Sequence, residues 1–196
     1  MPQFPVLACV LLACLSACGT SSPVRYYALS EPAATTVTKT GAAVVVMGPF
    51  VVAPYLQRPA IVVRDANHRL QLAEFDQWAE APQNALVPWL AREVDRQLAQ
   101  AVVVAFPSLG HSDAPYRVRG AIAEWDTDAN GSAVLVVQWE CVTDQNASLV
   151  PLRTSRFTAQ ASKPGDYGDI VRALNQTLAD FAKEMATALS SALPQT

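Results

Sequence analysis

Apolar residues follow two different spacings along the chain, and the first of these predicts β-strands. The most regular stretch is 133–143, where Leu135, Val137, Trp139 and Cys141 alternate with more polar residues. A period of two predicts a strand that buries one face and leaves the other partly wet. The same criterion, with β-prone composition and turn residues at the ends, predicts further strands at 25–29, 43–52, 60–64, 70–73, 102–106, 116–125 and 149–161.

Two other segments repeat their apolar residues at intervals of three and four, which predicts helices. The first covers roughly 83–101 and forms one apolar stripe that includes Val87, Leu90 and Val94. The second begins after Gly165, with Asp166 as its N-cap, and ends before residue 194. One apolar stripe on each helix and one apolar face on the sheet predict an α+β fold. We expect a two-layer α/β sandwich with a mostly antiparallel sheet and the two main helices packed on one face.

The amino terminus has the features of a targeting signal. Residues 6–15 are ten consecutive apolar residues, whereas a helix needs about 20 to span a bilayer. Leu15, Ser16 and Ala17 then precede Cys18, which resembles the bacterial lipobox, although no Lys or Arg precedes the apolar run. In such signals the cysteine thiol receives a diacylglycerol, the peptide is cut before it, and the new amino terminus is acylated. A buried core strand is the alternative interpretation.

These features predict three parts of the chain. Residues 1–17 are a lipoprotein signal peptide, 18–24 a lipidated tether, and 25–196 a single periplasmic domain. The residue after Cys18 is Gly19 and not Asp, which by resemblance to bacterial sorting signals favours the outer membrane. We therefore expect a lipid anchor on the periplasmic face of the outer membrane, with Cys18 as the lipidated residue.

Composition excludes several classes of protein. The chain carries 14 basic and 17 acidic residues, a net charge of −3, which argues against a nucleic-acid partner. Hydrophobic residues make up 51%, enough for a packed core. Once Cys9 and Cys14 leave with the signal and Cys18 is lipidated, Cys141 remains as a single thiol, so no intramolecular disulfide is expected.

No constellation of residues in the sequence indicates catalysis. Ser112 follows Gly110 and His111 in an arrangement similar to a nucleophile elbow, but Ala114 stands where the second glycine is required. Asp126 and Asp128 are spaced like calcium ligands, without the acidic residue that completes an EF-hand loop. We expect no catalytic residue, no metal and no cofactor apart from the N-acyl diacylglycerol on Cys18. The chain is predicted not to be an enzyme.

Four residues are candidates for contacts with other proteins. Tyr55, Leu56 and Arg58 lie on a loop bounded by prolines, and Trp78 precedes the first helix. Tyr, Trp and Arg dominate the energetics of many protein interfaces. The alternative is that these side chains close the core beneath the loop.

Several motifs resemble the PqiC/YmbA-type family, the ABC-transport auxiliary lipoproteins of Gram-negative bacteria. That family has Arg-Tyr-Tyr-x-Leu soon after the lipidated cysteine, matched here at 25–29, and a Trp-Ala-Glu before the first helix, matched at 78–80. Gly48-Pro49, Tyr55-Leu56, Arg58-Pro59 and Ile61-Val62 also match. Gln57 replaces the usual Asp and Ala60 the usual Gln. If that Asp makes a charged contact in the family, the contact is missing here. The resemblance covers about residues 24–193.

The resemblance implies a non-catalytic component of an ABC-type/MCE intermembrane lipid transport system. Its partners would be an MCE-domain protein and an inner-membrane ABC permease and ATPase, and the chain would form a homo-oligomer, since some relatives form rings. Two alternatives remain. One is a periplasmic lipid-binding carrier, which would need an apolar cavity of a few hundred Å³. The other is a hydrolase that uses Ser112.

Overall fold

The computed structural model describes residues 22–30, 39, 42–107 and 113–194. The predicted signal peptide at 1–17, Cys18, His111 and Ser112 lie outside the described residues. The described part contains eight strands and two helices, with a 3-10 turn at Pro54–Leu56. The strands are β1 (Arg25–Tyr27), β2 (Ala43–Val52), β3 (Ala60–Arg64), β4 (Leu70–Trp78), β5 (Ala101–Ala105), β6 (Tyr116–Asp128), β7 (Ser132–Thr143) and β8 (Ser148–Gln160). The helices are α1 (Pro82–Gln97) and α2 (Tyr167–Ala192).

All eight strands belong to one sheet, centred on the long strand β6. On one side, β6 pairs with β7, which pairs with the edge strand β8. On the other side, β2 and β3 lie one after the other along β6, because β2 pairs with the segment 116–122 and β3 with 127–128. Beyond β2 lies β5, and beyond β3 lie β4 and then β1.

The α+β two-layer prediction is confirmed, but the sheet is mixed and not mostly antiparallel. The pairs β3–β4, β6–β7 and β7–β8 are antiparallel. The pairs β1–β4, β2–β5, β2–β6 and β3–β6 are parallel. The three antiparallel pairs are joined by short turns with recognisable turn residues. The parallel pairs join segments that are distant in the sequence, so no local pattern predicts them.

Both helices contribute to the same hydrophobic core on one face of the sheet. The predicted alternation in β7 is confirmed, since Leu135, Val137, Trp139 and Cys141 are fully buried. The Trp139 ring meets Phe181 of α2 edge-on, at 6.0 Å between centroids. Asp166 caps α2 as predicted, accepting a hydrogen bond from the Asp169 backbone N–H at 3.0 Å. No helix in the described part of the chain is long and apolar enough to cross a membrane.

Two predicted boundaries are wrong by four residues or more, because long-range pairing decides them. Helix α1 ends at Gln97 and not at 101, since Leu98 is extended and Ala101 already pairs with Ala43. Strand β4 continues past Ala73 to Trp78, where β1 pairs with its last residues. A register shift in the β3–β4 pair interrupts the alternation there, which hides this extension from a sequence pattern.

Candidate interaction site

The loop between β2 and β3 holds two of the predicted contact residues rigidly in place. The Tyr55 hydroxyl donates a hydrogen bond to Asp126 Oδ2 at 2.8 Å and accepts one from the Trp125 backbone N–H at 3.2 Å. Burial, together with the hydrogen bond to Asp126, raises the pKa of Tyr55. Leu56 is buried in the core beneath the loop. The loop backbone is therefore fixed by its own side chains.

Arg58, on the same loop, has a different environment. Its side chain is exposed, and it makes no hydrogen bond or ion pair with any of the residues that the structure describes. A charged side chain on a rigid loop loses little backbone entropy when a partner binds it. Of the four predicted contact residues, Arg58 is the one whose functional group is exposed and has no polar partner among the described residues.

Trp78 lies next to this loop and forms part of an aromatic stack. Its ring lies 4.9 Å from that of Trp125 at an interplanar angle of 20°, and both side chains are buried. The Trp78 backbone N–H donates to the carbonyl of Pro59 at 2.6 Å. The structure thus brings Tyr55 and Trp78 together around Trp125, a residue that the sequence analysis did not select. In the single chain Leu56 and Trp78 are core residues, and a contact role for the four residues remains a prediction.

A buried carboxylate stabilises the loop from below. Asp126 accepts hydrogen bonds from the Tyr55 hydroxyl and from Arg64 Nη2, the latter at 2.6 Å. Asp128 instead accepts from the backbone N–H groups of Asn130 and Ser132 at 2.8 and 2.9 Å, which shapes the β6–β7 turn. The two residues spaced like calcium ligands therefore serve separate structural purposes.

A second buried carboxylate fixes the point where the chain enters the domain. Arg25 donates two hydrogen bonds to the two oxygens of Asp76, each at 2.7 Å, and the Tyr27 hydroxyl donates a third at 2.8 Å. Burial by itself would raise the pKa of Asp76, but these hydrogen bonds and the charge of Arg25 outweigh it and lower the pKa. Sequence reasoning missed Asp76, which lies fifty-one residues from Arg25.

A cleft of about 220 Å³ opens above the tryptophan stack, between the segment after β1 and the start of α1. The segment is held down at both ends: the Ala79 N–H donates to the Tyr27 carbonyl at 2.7 Å, and Trp89 Nε1 donates to the Ser30 carbonyl at 2.5 Å. Its lining is mostly apolar, with two charged side chains, and includes Tyr27, Trp78, Glu80, Pro88, Arg92 and Trp125. This arrangement can hold a small apolar or aromatic group against a rigid surface.

The lowered pKa of Asp76 predicts a pH-dependent contribution to stability. The ionised carboxylate stabilises the folded state above its unfolded pKa of about 3.9, and this contribution is lost as the pH falls through the lower folded pKa. We expect Asp76→Asn to reduce the free energy of unfolding by about 1 kcal/mol at pH 7, a modest value because Arg25 is largely exposed. The difference from the unsubstituted chain should shrink towards pH 2–3.

Urea unfolding at pH 7 and at pH 3 measures this difference. The matched control is Asp144→Asn, which changes an exposed carboxylate that makes no side-chain hydrogen bond within the described residues. The control should alter the free energy of unfolding by the same small amount at both pH values. An Asp76→Asn effect that is equally large at pH 3 would contradict the proposed ion pair.

Comparison with known proteins agrees with this architecture. One crystal structure, of an uncharacterized protein, matches with a TM-score of 0.72 at 21% identity and covers 86% of this chain and 100% of that chain. A Xanthomonas campestris protein of the DUF330 family matches with a TM-score of 0.68 at 16% identity, covering 85% of this chain and 96% of its own. At these identities the similarity establishes a shared fold. No curated protein matches the chain significantly in sequence.

The comparison with family models assigns the chain to a family, whereas the structural comparisons establish only a shared fold. Residues 27–186 match the family described as the ABC-type transport auxiliary lipoprotein component. The match begins inside β1 and ends within α2, so it includes both buried carboxylates, the loop with Arg58 and the tryptophan stack. The resemblance inferred from the sequence motifs is confirmed: this chain belongs to the family of ABC-type transport auxiliary lipoprotein components.

Proposed function

We propose that this chain is a lipoprotein anchored through Cys18 to the periplasmic face of the outer membrane. There it acts as a non-catalytic auxiliary component of an ABC-type/MCE intermembrane lipid transport system. The observation that carries the proposal is the family match over residues 27–186. The lipobox-like sequence before Cys18 supports the anchor, and energy for transport would come from the partner ATPase.

The proposed partners are an MCE-domain protein and the inner-membrane permease and ATPase, together with further copies of this chain. A docking module needs a surface that is ordered before its partner arrives, because ordering on binding reduces affinity. The loop that carries Arg58 meets this requirement, since Tyr55 is tied to Asp126 and Trp125 on one side and Leu56 is buried on the other. The exposed guanidinium of Arg58 would then bind a carboxylate or a carbonyl of the partner.

The cleft beside Trp78 favours docking over a carrier function. Its volume of about 220 Å³ lies below the 300–1,000 Å³ or so of typical pockets that enclose a small ligand. A larger space of about 440 Å³ lies beside α2, but charged and polar side chains, among them Arg153, form most of its lining. The interior between β7 and α2 is filled by large side chains that include Trp139, Phe181 and Met185. Native mass spectrometry separates the alternatives, because co-purified lipid on a monomer would favour the carrier and a lipid-free oligomer the docking module.

The lipid anchor predicts incorporation of palmitate. Cells that express the full chain should incorporate labelled palmitate into it, and Cys18→Ala should abolish the label, because this substitution removes the thiol that directly follows the lipobox-like sequence. Cys141→Ala is the matched control and should keep the label, since that thiol is buried and burial raises its pKa to about 12. A chain that stays unlabelled, or is found in the cytosol, would refute the anchor.

A charge reversal at Arg58 tests the docking surface. We expect Arg58→Glu to reduce co-purification with the MCE and permease partners by about tenfold or more, because arginine at an interface often contributes over 1 kcal/mol. The melting temperature should change little, since the exposed side chain makes no hydrogen bond or ion pair within the described part of the chain. Lys183→Glu makes the same charge change on the exposed face of α2 and should leave co-purification intact. If both variants co-purify equally well with the partners, Arg58 does not lie in the interface.

A further inference from the structure

Several exposed hydrophobic side chains lie along one edge of the sheet. The described residues contain seven large hydrophobic side chains that are exposed, and four of them lie on or next to the adjacent strands β1 and β4. Tyr26 is 66% exposed, Leu72 43%, and Val24 and Leu70 38% each. We call these four residues the β1–β4 corner. Leu70 and Leu72 lie two residues apart on one strand and so point to the same side of it.

The pairing of β1 fixes the direction in which the preceding chain leaves the domain. β1 runs parallel to β4, with Arg25 opposite Asp76. Going back towards the amino terminus from Arg25 therefore means going towards the beginning of β4, where Leu72 and Leu70 lie. The bidentate hydrogen bond between Arg25 and Asp76 holds this exit point in place. The chain that connects to Cys18 thus leaves the domain on the side of the β1–β4 corner.

The length of that connection keeps the corner close to the anchor. Seven peptide units separate Cys18 from Arg25, and they can span at most about 25 Å. The six residues from Asp76 back to Leu70 cover at most about 20 Å of strand. A lipid on Cys18 can therefore reach the level of Leu70, and it holds Arg25 within about 25 Å of the bilayer surface.

Charges at the corner are balanced, which indicates how it would contact a membrane. Arg69 forms an ion pair with Asp65 at 2.7 Å, and Arg25 forms one with Asp76 at the same distance. Glu74 adds an exposed negative charge. With its arginines already neutralised, the corner has no excess positive charge for anionic headgroups. Its apolar and aromatic side chains are instead suited to the boundary between headgroups and acyl chains, where tyrosine is favoured.

From these observations we infer that the β1–β4 corner rests on the bilayer surface and forms a second, apolar membrane contact beside the lipid anchor. This inference rests on the lipidation of Cys18 in the proposed function. The contact orients the domain: the β3–β4 hairpin faces the membrane, and the opposite sheet edge at β8 stays away from it. Lipid covers the exposed apolar surface. Burial of apolar side chains stabilises this contact, and headgroup charge does not.

Site-directed fluorescence on the lipidated full chain tests this contact. A nitrobenzoxadiazole label is attached at Leu70→Cys, or at Leu152→Cys as the matched control, while Cys141 is fully buried. Leu152 is 65% exposed on β8, at the edge of the sheet far from β1. The protein is placed in phosphatidylcholine vesicles with and without doxyl-labelled acyl chains. We expect the doxyl lipid to reduce the fluorescence at position 70 at least about twofold and to leave position 152 nearly unchanged.

Several outcomes would overturn the inference. An absence of quenching at position 70 would show that the corner does not contact lipid. Equal quenching at both positions would show that the corner is not a specific contact that orients the domain. Self-quenching at position 70 without quenching by doxyl lipid would assign the corner to a second copy of the chain. Tyr26→Cys provides a second probe if Leu70→Cys unfolds. A chain that takes up no palmitate and does not bind vesicles contradicts the anchor itself, whereas a chain that binds vesicles with an unquenched probe contradicts the corner contact alone.

Discussion

Replacement of Trp125 by alanine is expected to reduce the free energy of unfolding by about 3–5 kcal/mol, the usual cost of removing a large buried aromatic side chain. Trp125 is 2% exposed, stacks on Trp78 and donates its indole N–H to the Leu174 carbonyl at 3.3 Å. The substitution removes the stack and leaves the Leu174 carbonyl without this donor, while β6 and α2 hold the surrounding backbone in place. The cavity can therefore collapse only in part.

Chemical denaturation with the intrinsic fluorescence of the remaining tryptophans measures this loss. Thermal unfolding provides a second measurement. For a chain of this length, each kcal/mol of lost stability lowers Tm by about 2–4 °C, so we expect Tm to fall by roughly 6–20 °C. Leu152→Ala is the control, because its side chain is 65% exposed, and its effect should stay within about 0.5 kcal/mol. A Trp125→Ala variant as stable as this control would show that the stack does not support the fold.

Gly120→Ala is expected to destabilise the chain by about 3 kcal/mol, the upper part of the range for overpacked sites. Gly120 lies in β6 opposite Trp139 of β7. An added Cβ would lie 2.3 Å from the Gln138 carbonyl oxygen, 2.9 Å from the Phe50 ring and 3.1 Å from the Trp139 Cβ. The nearest of these atoms belongs to the backbone of the paired strand, so the β6–β7 ladder would have to open to admit the methyl group.

Gly165→Ala separates this steric effect from the general cost of replacing a glycine. Nothing lies within 4 Å of a Cβ added at Gly165, but its φ of +86° is a conformation that L-residues avoid, which costs roughly 1–2 kcal/mol. Urea unfolding should give Gly120→Ala a lower free energy of unfolding than Gly165→Ala. The reverse order would mean that β6 and β7 accommodate the methyl group, contrary to the packing at Trp139.

Local patterns predicted the elements whose formation depends on neighbouring residues. The β2 and β3 boundaries at 43–52 and 60–64 and the Asp166 cap of α2 agree with the structure. The alternation in β7 identified its buried face. These features follow from backbone geometry, because a strand repeats every two residues and a helix every 3.6. The family resemblance also follows from the sequence, and the match over residues 27–186 confirms it.

The candidate site depended on contacts that no local pattern contains. Tyr55 was a candidate on residue type alone, but its hydrogen bonds to Asp126 and Trp125 join positions about seventy residues apart. Trp78 looked equally suited to an interface or to the core, and its stack on Trp125 places it in the core of the single chain. The decisive partners Asp76, Trp125 and Asp126 lie on strands whose neighbours are set by the sheet order.

The sequence by itself determined the two-layer composition, the antiparallel turns and the family, and it predicts the lipid anchor at Cys18. It could do so because periodicity, turn chemistry and short motifs are properties of adjacent residues. Only the tertiary structure decided the parallel pairing of β1 with β4 and of β2 and β3 with β6. That pairing buries two carboxylates beside distant arginines, and it places exposed apolar side chains on the adjacent strands β1 and β4. Such arrangements depend on which strands meet in space, and that is settled by burial over the whole core.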